Sequence, residues 1–133
     1  MSPLLLPITL TTAGALGLVG LILALRVSMG RGKHEITMGD GGNPDMIVRM
    51  RTHANFVEYV PLILVFLGLL ELAGANHTAL IVGAAVLFVA RIFHAIGMAG
   101  PMALRVTGAM ATYLLLAAGS IYGLVLALPH LST

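Results

Sequence analysis

Four long apolar stretches, separated by short polar segments, run along the chain. The first, residues 4–25, carries no charge and is long enough to cross the hydrocarbon core of a bilayer, which takes about 20 residues of helix. The same pattern predicts helices at 45–73, 78–97 and 102–128, separated by turns rich in glycine, asparagine and proline. We therefore predict an all-α membrane protein, with one domain over residues 1–133 built as a four-transmembrane-helix bundle.

Residues 26–44 form the one long polar segment and are predicted to be a loop, because glycine and charged residues dominate them. Asn43 or Asp45 is expected to cap the second helix, with Pro44 early in it. The segment lacks the Gly-Lys-Ser/Thr ending of a phosphate-binding loop and is not flanked by strand patterns. It is therefore interpreted as a connection between two spans.

The second predicted helix has a polar first half. Its uninterrupted apolar part, residues 59–70, is too short to span a bilayer alone, so residues 47–58 must share the membrane depth or its interface. Within them, Arg51, Asn55 and Glu58 follow the i, i+4, i+7 spacing of one helix face. Ionisable groups at that depth are costly, which makes this face a candidate functional site.

Composition narrows the class of protein further. The chain is 59% hydrophobic and only 9% charged, as expected of a protein dissolved in lipid. Its net charge of +2, without a basic cluster interleaved with aromatic residues, argues against nucleic acid as a partner. The absence of cysteine excludes disulfides, thiolate metal sites and a cysteine nucleophile. No histidine or carboxylate pair has a ligand spacing on one helix, so no metal site is predicted.

The basic residues lie around the first predicted loop, residues 26–44, and the third, between the third and fourth helices. The second loop, between the second and third helices, has no lysine or arginine. By the positive-inside rule the first and third loops face the cytoplasm. The polar half of the second helix then lies at the same level as the end of the third helix and the start of the fourth. Arg91 and His94 share one face at the end of the third helix, and Arg105 lies at the start of the fourth. A cation in a first helical turn opposes the helix dipole unless an anion binds there.

These groups have the chemistry to hold a small zwitterion, with arginines for carboxylates, Glu58 for an ammonium and Asn55 for an amide. Each also has a structural alternative. An arginine can extend to the lipid headgroups, Glu58 can be a buried ion-pair partner, and His94 can be a hydrogen-bonded packing residue. Arg49 lies two residues from Arg51, roughly across the helix, and is left outside the candidate site.

The motif Arg51-x-x-x-Asn55-x-x-Glu58-Tyr59-x-Pro61 resembles the signature of the MAPEG family, the membrane-associated proteins in eicosanoid and glutathione metabolism. Three further matches outside the motif follow the order found in that family: Arg26-Val-Ser, Ala90-Arg91-x-x-His94 and Leu104-Arg105. The resemblance covers about residues 20–110. It is similar to the pattern of the leukotriene, prostaglandin and glutathione-transferring enzymes, and the short loops suggest a bacterial member.

The resemblance implies a homotrimer that binds glutathione between neighbouring subunits near the cytoplasmic side. The residues it assigns to glutathione binding are Arg51, Asn55, Glu58, Tyr59, His94 and Arg91, with Arg26 reaching in from the adjacent subunit. Arg105 corresponds to the arginine that stabilises the glutathione thiolate and is the predicted catalytic residue. Met98 stands where the eicosanoid enzymes carry a second tyrosine, four residues beyond the position of His94.

The implied function is a glutathione-dependent transferase or peroxidase with a role in detoxification. Its second substrate would be an apolar electrophile or a lipid hydroperoxide that enters from the membrane lipid. The implied location is a bacterial inner membrane, with the site facing the cytoplasm. The alternative is a non-catalytic lipid-binding or scaffold member of the same fold. A small proton-coupled multidrug transporter is disfavoured, because that class places a glutamate within the first helix and residues 2–25 contain none.

Overall fold

The computed structural model of the chain describes residues 4–131 and consists of helices joined by short loops. The helices are α1 (Pro7–His34), α2 (Pro44–Leu72), α3 (His77–Gly97) and α4 (Met102–Ala127), followed by a short 3-10 turn, Leu128–His130. Four helices, the last taken together with the turn, are long and apolar enough to cross a membrane. No strand occurs within residues 4–131, so the predicted all-helical, four-span architecture is confirmed.

The first helix differs from its predicted bounds. It continues to His34 rather than ending at Leu25, so the predicted loop 26–44 is reduced to residues 35–43. The change to polar residues marks where α1 leaves the apolar core, not where the helix ends. The helix continues because basic side chains in its last turn interact favourably with the negative end of the helix dipole. Glu35 then ends the helix in the left-handed conformation, with φ 56°.

The start of α2 is capped as the sequence predicts. The side-chain oxygen of Asn43 accepts a hydrogen bond from the backbone N–H of Asp45 at 3.0 Å, and Pro44 is the first helical residue. The Asp45 carboxylate in turn lies 2.9 Å from His34 Nε2 and accepts a 2.9 Å bond from Arg49 Nε. These contacts tie the end of α1 to the beginning of α2.

Two apolar clusters stabilise the bundle. The larger one joins α1, α2 and α3 through Leu16, Leu23, Phe56, Val60, Ile63 and Leu87. The second lies toward the opposite end of the bundle from the first loop and contains Ile8, Leu67, Leu70 and Leu80. Helices α2 and α3 are central, whereas α1 and α4 make no contact with each other within the described range.

At the end of the bundle opposite the first loop, the N-terminus of α1 is capped by a side chain of α2. The first turn of α1 has no side-chain cap of its own. Instead, the carboxylate of Glu71, near the end of α2, accepts hydrogen bonds from the backbone N–H groups of Ile8 and Thr9 at 2.9 and 2.8 Å. It also accepts a 2.6 Å bond from the Thr9 hydroxyl. A negative charge at this position satisfies free N–H groups and suits the helix dipole.

At the other end, α3 and α4 approach so closely that only glycine fits at two positions. A Cβ at Gly97 would collide with the backbone of Arg105. One at Gly108 would collide with the carbonyl oxygen of Ala90 and lie 2.6 Å from the backbone nitrogen of His94. This approach places the end of α3, which carries His94, directly against the start of α4, which carries Arg105.

Candidate functional site

A cavity of about 550 Å³ lies at the basic end of the bundle, where α2, α3 and α4 meet. Its polar lining comes from all three helices and consists of Arg51, Asn55, His94, Arg105 and Tyr113. Its apolar lining consists of Ile47, Val48, Met98, Val106, Ala109 and Met110. The volume lies within the range of about 300–1,000 Å³ that small-molecule sites occupy. Four of the residues predicted from the sequence therefore line one cavity.

Arg51 and Arg105 supply the positive charge of this cavity. Both residues are exposed, and neither forms an ion pair with a carboxylate of residues 4–131. The first turn of α4 contains no acidic residue that would offset Arg105. Two guanidinium groups on different helices, both lining one cavity, are suited to a ligand that carries carboxylate or thiolate groups.

Arg91 lies behind the cavity and is only 1% exposed. Its Nη2 donates to Asn55 Oδ1 at 2.9 Å and lies 3.4 Å from His94 Nδ1. Its Nη1 donates to Thr112 Oγ1 at 3.4 Å. The guanidinium also lies 5.6 Å from the ring centroid of Phe56, within cation–π range. Arg91 thus does not line the cavity but contacts two side chains that do.

Tyr59 and Tyr113 pack against each other, with ring centroids 5.2 Å apart and planes inclined by 58°. Tyr59 is half-buried and is not part of the cavity lining, whereas Tyr113 lines it from α4. Tyr113 is not among the site residues predicted from the sequence. Its position at i+8 from Arg105, two turns along one helix face, is the signal that identifies it. The side chain of Tyr113 therefore contributes to the lining from α4, while Met98 contributes from the end of α3.

Two other predicted site residues lie outside this cavity. Glu58 is exposed and forms no ion pair with Arg51 or Arg91 within the described chain, so the alternative of a buried structural ion pair inside one subunit is wrong. Arg26 belongs to α1, which contributes nothing to the lining. The carbonyl oxygen of Arg26 accepts a 3.0 Å bond from Arg49, and Arg49 is also outside the cavity.

His94 combines two of the roles considered for it. It is buried and lies within hydrogen-bonding distance of Arg91, as a packing histidine would be, and it also lines the cavity. Between residues 4 and 131, no group of three or more histidines, aspartates and glutamates is arranged to hold a metal ion. The polar side chains that line the cavity are those of two arginines, a histidine, an asparagine and a tyrosine.

Four membrane-crossing helices with a cationic cavity at one end define a multi-pass membrane protein with a candidate site for a small anion. The family model described as "MAPEG family" matches residues 9–125. The chain belongs to this family, and the resemblance seen in its motifs is confirmed.

Two curated relatives are similar to part of the chain. Both are named "Inner membrane protein YecN", one from Escherichia coli strain K12 and one from a second Escherichia coli strain, and each is 31% identical over 67 residues. The match covers 50% of this chain and 51% of each relative, so the chain spans about half the length of the curated relatives it matches. No solved structure matches the chain significantly. Together, the four spans and these relatives identify a multi-pass inner membrane protein.

Proposed function

We propose that the chain is a glutathione-dependent membrane transferase or peroxidase that acts on an apolar electrophile or a lipid hydroperoxide. The observation that carries this proposal is the cavity lined jointly by Arg51, Asn55, His94 and Arg105. Membership of the MAPEG family supports it. The proposal includes a homotrimer in which a neighbouring subunit completes the site.

Each side chain has a definite task in this proposal. Arg51 binds a carboxylate of glutathione through its planar guanidinium, and Asn55 and His94 add hydrogen bonds. Arg105 stabilises the thiolate, because a nearby positive charge favours the anion over the thiol. Apolar lining residues such as Met98 and Met110 provide a surface for a substrate that arrives from the bilayer.

The reaction then needs no other cofactor. Bound glutathione supplies a thiolate nucleophile, whose sulfur forms a bond to the electrophilic carbon while the leaving group departs with its electron pair. With a hydroperoxide, two glutathione thiols are oxidised to one disulfide, and the hydroperoxide is reduced to an alcohol and water. Arg105 contributes in both cases by holding the sulfur as the anion.

Replacement of Arg105 tests the enzymatic proposal directly. The detergent-purified protein should show ultraviolet absorbance of a thiolate when glutathione is added, and it should conjugate glutathione to a chloronitrobenzene. Arg105→Ala should lower the conjugation rate by about 10²-fold or more, the usual effect of removing one electrostatic stabiliser. Lys33→Ala is the matched control, because it removes an exposed cation outside the cavity and should leave the rate unchanged.

Failure of the wild-type protein to activate or bind glutathione would contradict the proposed enzymatic function. If the wild-type protein gives neither thiolate absorbance nor conjugation, a non-catalytic lipid-binding or scaffold role is the better description. If calorimetry detects no glutathione binding by the wild-type protein, the glutathione site itself is rejected.

A further inference from the structure

We propose that Arg91 is a positioning residue that holds Asn55 and His94 so that both present N–H donors to the cavity. The ligand recognised there must then offer acceptors, such as carboxylate or thiolate groups. The naming of glutathione as this ligand rests on the proposed function, whereas the orientation of the two side chains does not.

Arg91 fixes which end of the Asn55 side chain faces the cavity. A guanidinium group can only donate hydrogen bonds, so its partner at 2.9 Å must be the amide oxygen of Asn55. That oxygen is engaged on the side of Arg91. The amide nitrogen is left for the cavity, and it forms no hydrogen bond with any residue from 4 to 131. Asn55 therefore acts as a donor toward a ligand.

Arg91 also fixes which ring nitrogen of His94 carries the proton. The same Nη2 of Arg91 lies 3.4 Å from His94 Nδ1, and Nδ1 must accept if the contact is a hydrogen bond. A neutral imidazole that accepts at Nδ1 carries its proton on Nε2. His94 lines the cavity, and its Nε2 has no hydrogen-bond partner in the described part of the chain. The imidazole thus offers its N–H to the ligand.

Most polar side chains that line the cavity are hydrogen-bond donors. Arg51 and Arg105 are donors only, and Asn55 and His94 are donors in the orientations that Arg91 imposes. No carboxylate of residues 4–131 lines the cavity, and Glu58 lies outside it. These four side chains therefore suit the acceptor groups of a ligand. Among the polar side chains of the cavity lining, only the hydroxyl of Tyr113 can also accept a hydrogen bond from an ammonium group.

Packing alone does not explain a buried arginine at this position. Arg91 has no carboxylate partner among residues 4–131, and its Nε is buried without a hydrogen-bond partner. Burying an unpaired charge is unfavourable, and an apolar side chain of similar volume is often as stable or more stable. The contacts with Asn55 and His94 give Arg91 a role that an apolar residue would not provide.

The first test requires no ligand. In protein labelled with ¹⁵N-histidine, the ring nitrogens of His94 are identified by their loss in His94→Gln. The proposal expects wild-type His94 to be protonated on Nε2 and unprotonated on Nδ1, and expects Arg91→Met to give a mixture of tautomers. An Nδ1–H tautomer in the wild-type protein, or an unchanged tautomer in Arg91→Met, would overturn the proposal. Neither result depends on whether the protein binds glutathione.

The second test is a double-mutant cycle on the dissociation constant of glutathione. Arg91→Met should raise it by about tenfold or more in the wild-type background but less in Asn55→Ala, because the part of the effect that passes through that amide is then already lost and only the part through His94 remains. Arg91→Lys, which keeps the charge without the planar fork, should behave like Arg91→Met if melting shows it to be folded. Thr112→Val is the control, because it removes the third partner of Arg91 and should leave affinity unchanged.

Equal effects of Arg91→Met in both backgrounds would contradict the proposal. If the wild-type protein binds no glutathione, the proposed function fails, and the tautomer of His94 still decides the role of Arg91.

Discussion

At the scale of single residues, Arg51 and Arg49 show how position on a helix separates two chemically identical side chains. They are two residues apart on α2 and therefore point to different sides of it. Arg51 lines the cavity. Arg49 instead donates to Asp45 at 2.9 Å and to the carbonyl oxygen of Arg26 at 3.0 Å. Their substitution should accordingly have different consequences.

We expect Arg51→Ala to weaken glutathione binding by about 10- to 100-fold, because a hydrogen bond to a charged group contributes roughly 1.5–3 kcal/mol. Arg49→Ala should leave the affinity unchanged and lower the melting temperature, because it removes contacts between α1 and α2. Calorimetry and thermal unfolding in detergent measure the two effects. Equal affinities of Arg51→Ala and the wild-type protein would exclude Arg51 from the site.

Arg105 is predicted from its place in the first turn of the fourth helix and from the family resemblance. Spacing along the sequence groups Arg51 with Asn55, and Arg91 with His94, because one face of a helix can be read from its period. It could not reveal how deeply each side chain lies. Arg91 and His94 share a face, yet only His94 lines the cavity, because the contacts of Arg91 with Asn55 and Thr112 hold it behind. Such contacts join different helices and leave no signal in the spacing of one.

At the scale of helices, the contact between α3 and α4 positions the site. Gly108 faces the carbonyl oxygen of Ala90 and the backbone nitrogen of His94, where a methyl group does not fit. Gly83, elsewhere on α3, is different, because the nearest atom to its Cβ position is Leu115 Cδ2 at 3.9 Å. These two glycines allow the role of the close approach to be tested.

We expect Gly108→Ala to destabilise the protein by about 1–3 kcal/mol, the usual cost of overpacking, and to weaken glutathione binding by moving α4 away from His94. Gly83→Ala should be neutral or slightly stabilising, because alanine is the better helix former. Melting temperatures and glutathione affinities of the two variants provide the comparison. The same loss in both variants would contradict a specific role for the contact at Gly108.

The bounds of the helices could be predicted where glycine, asparagine or proline interrupts the chain, as at Asn43 and Pro101. The end of α1 could not. Its polar last turns have the composition of a loop but remain helical up to Glu35. Hydropathy reports the depth at which a helix leaves the apolar core, whereas the end of the helix depends on local hydrogen bonds and backbone conformation.

At the scale of the whole molecule, the distribution of basic residues predicts which loops face the cytoplasm. The chain has no cysteine, so single cysteines can be introduced without removing others. Thr37→Cys and Ala99→Cys, in the first and third loops, should resist a membrane-impermeant thiol reagent on intact cells and react after lysis. Thr78→Cys, at the start of α3, should react on intact cells. The reverse pattern would show that the cavity faces the periplasm.

The four spans and the family were predictable from the sequence, because both depend on features within single helices. The assembly is different, since it depends on contacts between copies of the chain. The proposed trimer is consistent with the placement of Arg26, which lies on α1, while the cavity is lined only by α2, α3 and α4. Arg26 can then serve a site on a neighbouring subunit, as the family resemblance implies.

Subunit mixing tests this arrangement. If Arg26 acts on the site of a neighbour, trimers containing only Arg26→Ala or only Arg105→Ala chains should be nearly inactive in glutathione conjugation. Trimers refolded or co-expressed from both should regain activity, because an intact Arg105 from one chain meets an intact Arg26 from the next. With random mixing in a closed ring, roughly a quarter of the sites should be restored.

Native mass spectrometry should report three subunits in each preparation. No recovery in mixed trimers would place Arg26 in the site of its own chain, whereas activity of the trimer made only of Arg26→Ala chains would place it outside the site. A dimer would remove the intersubunit site altogether.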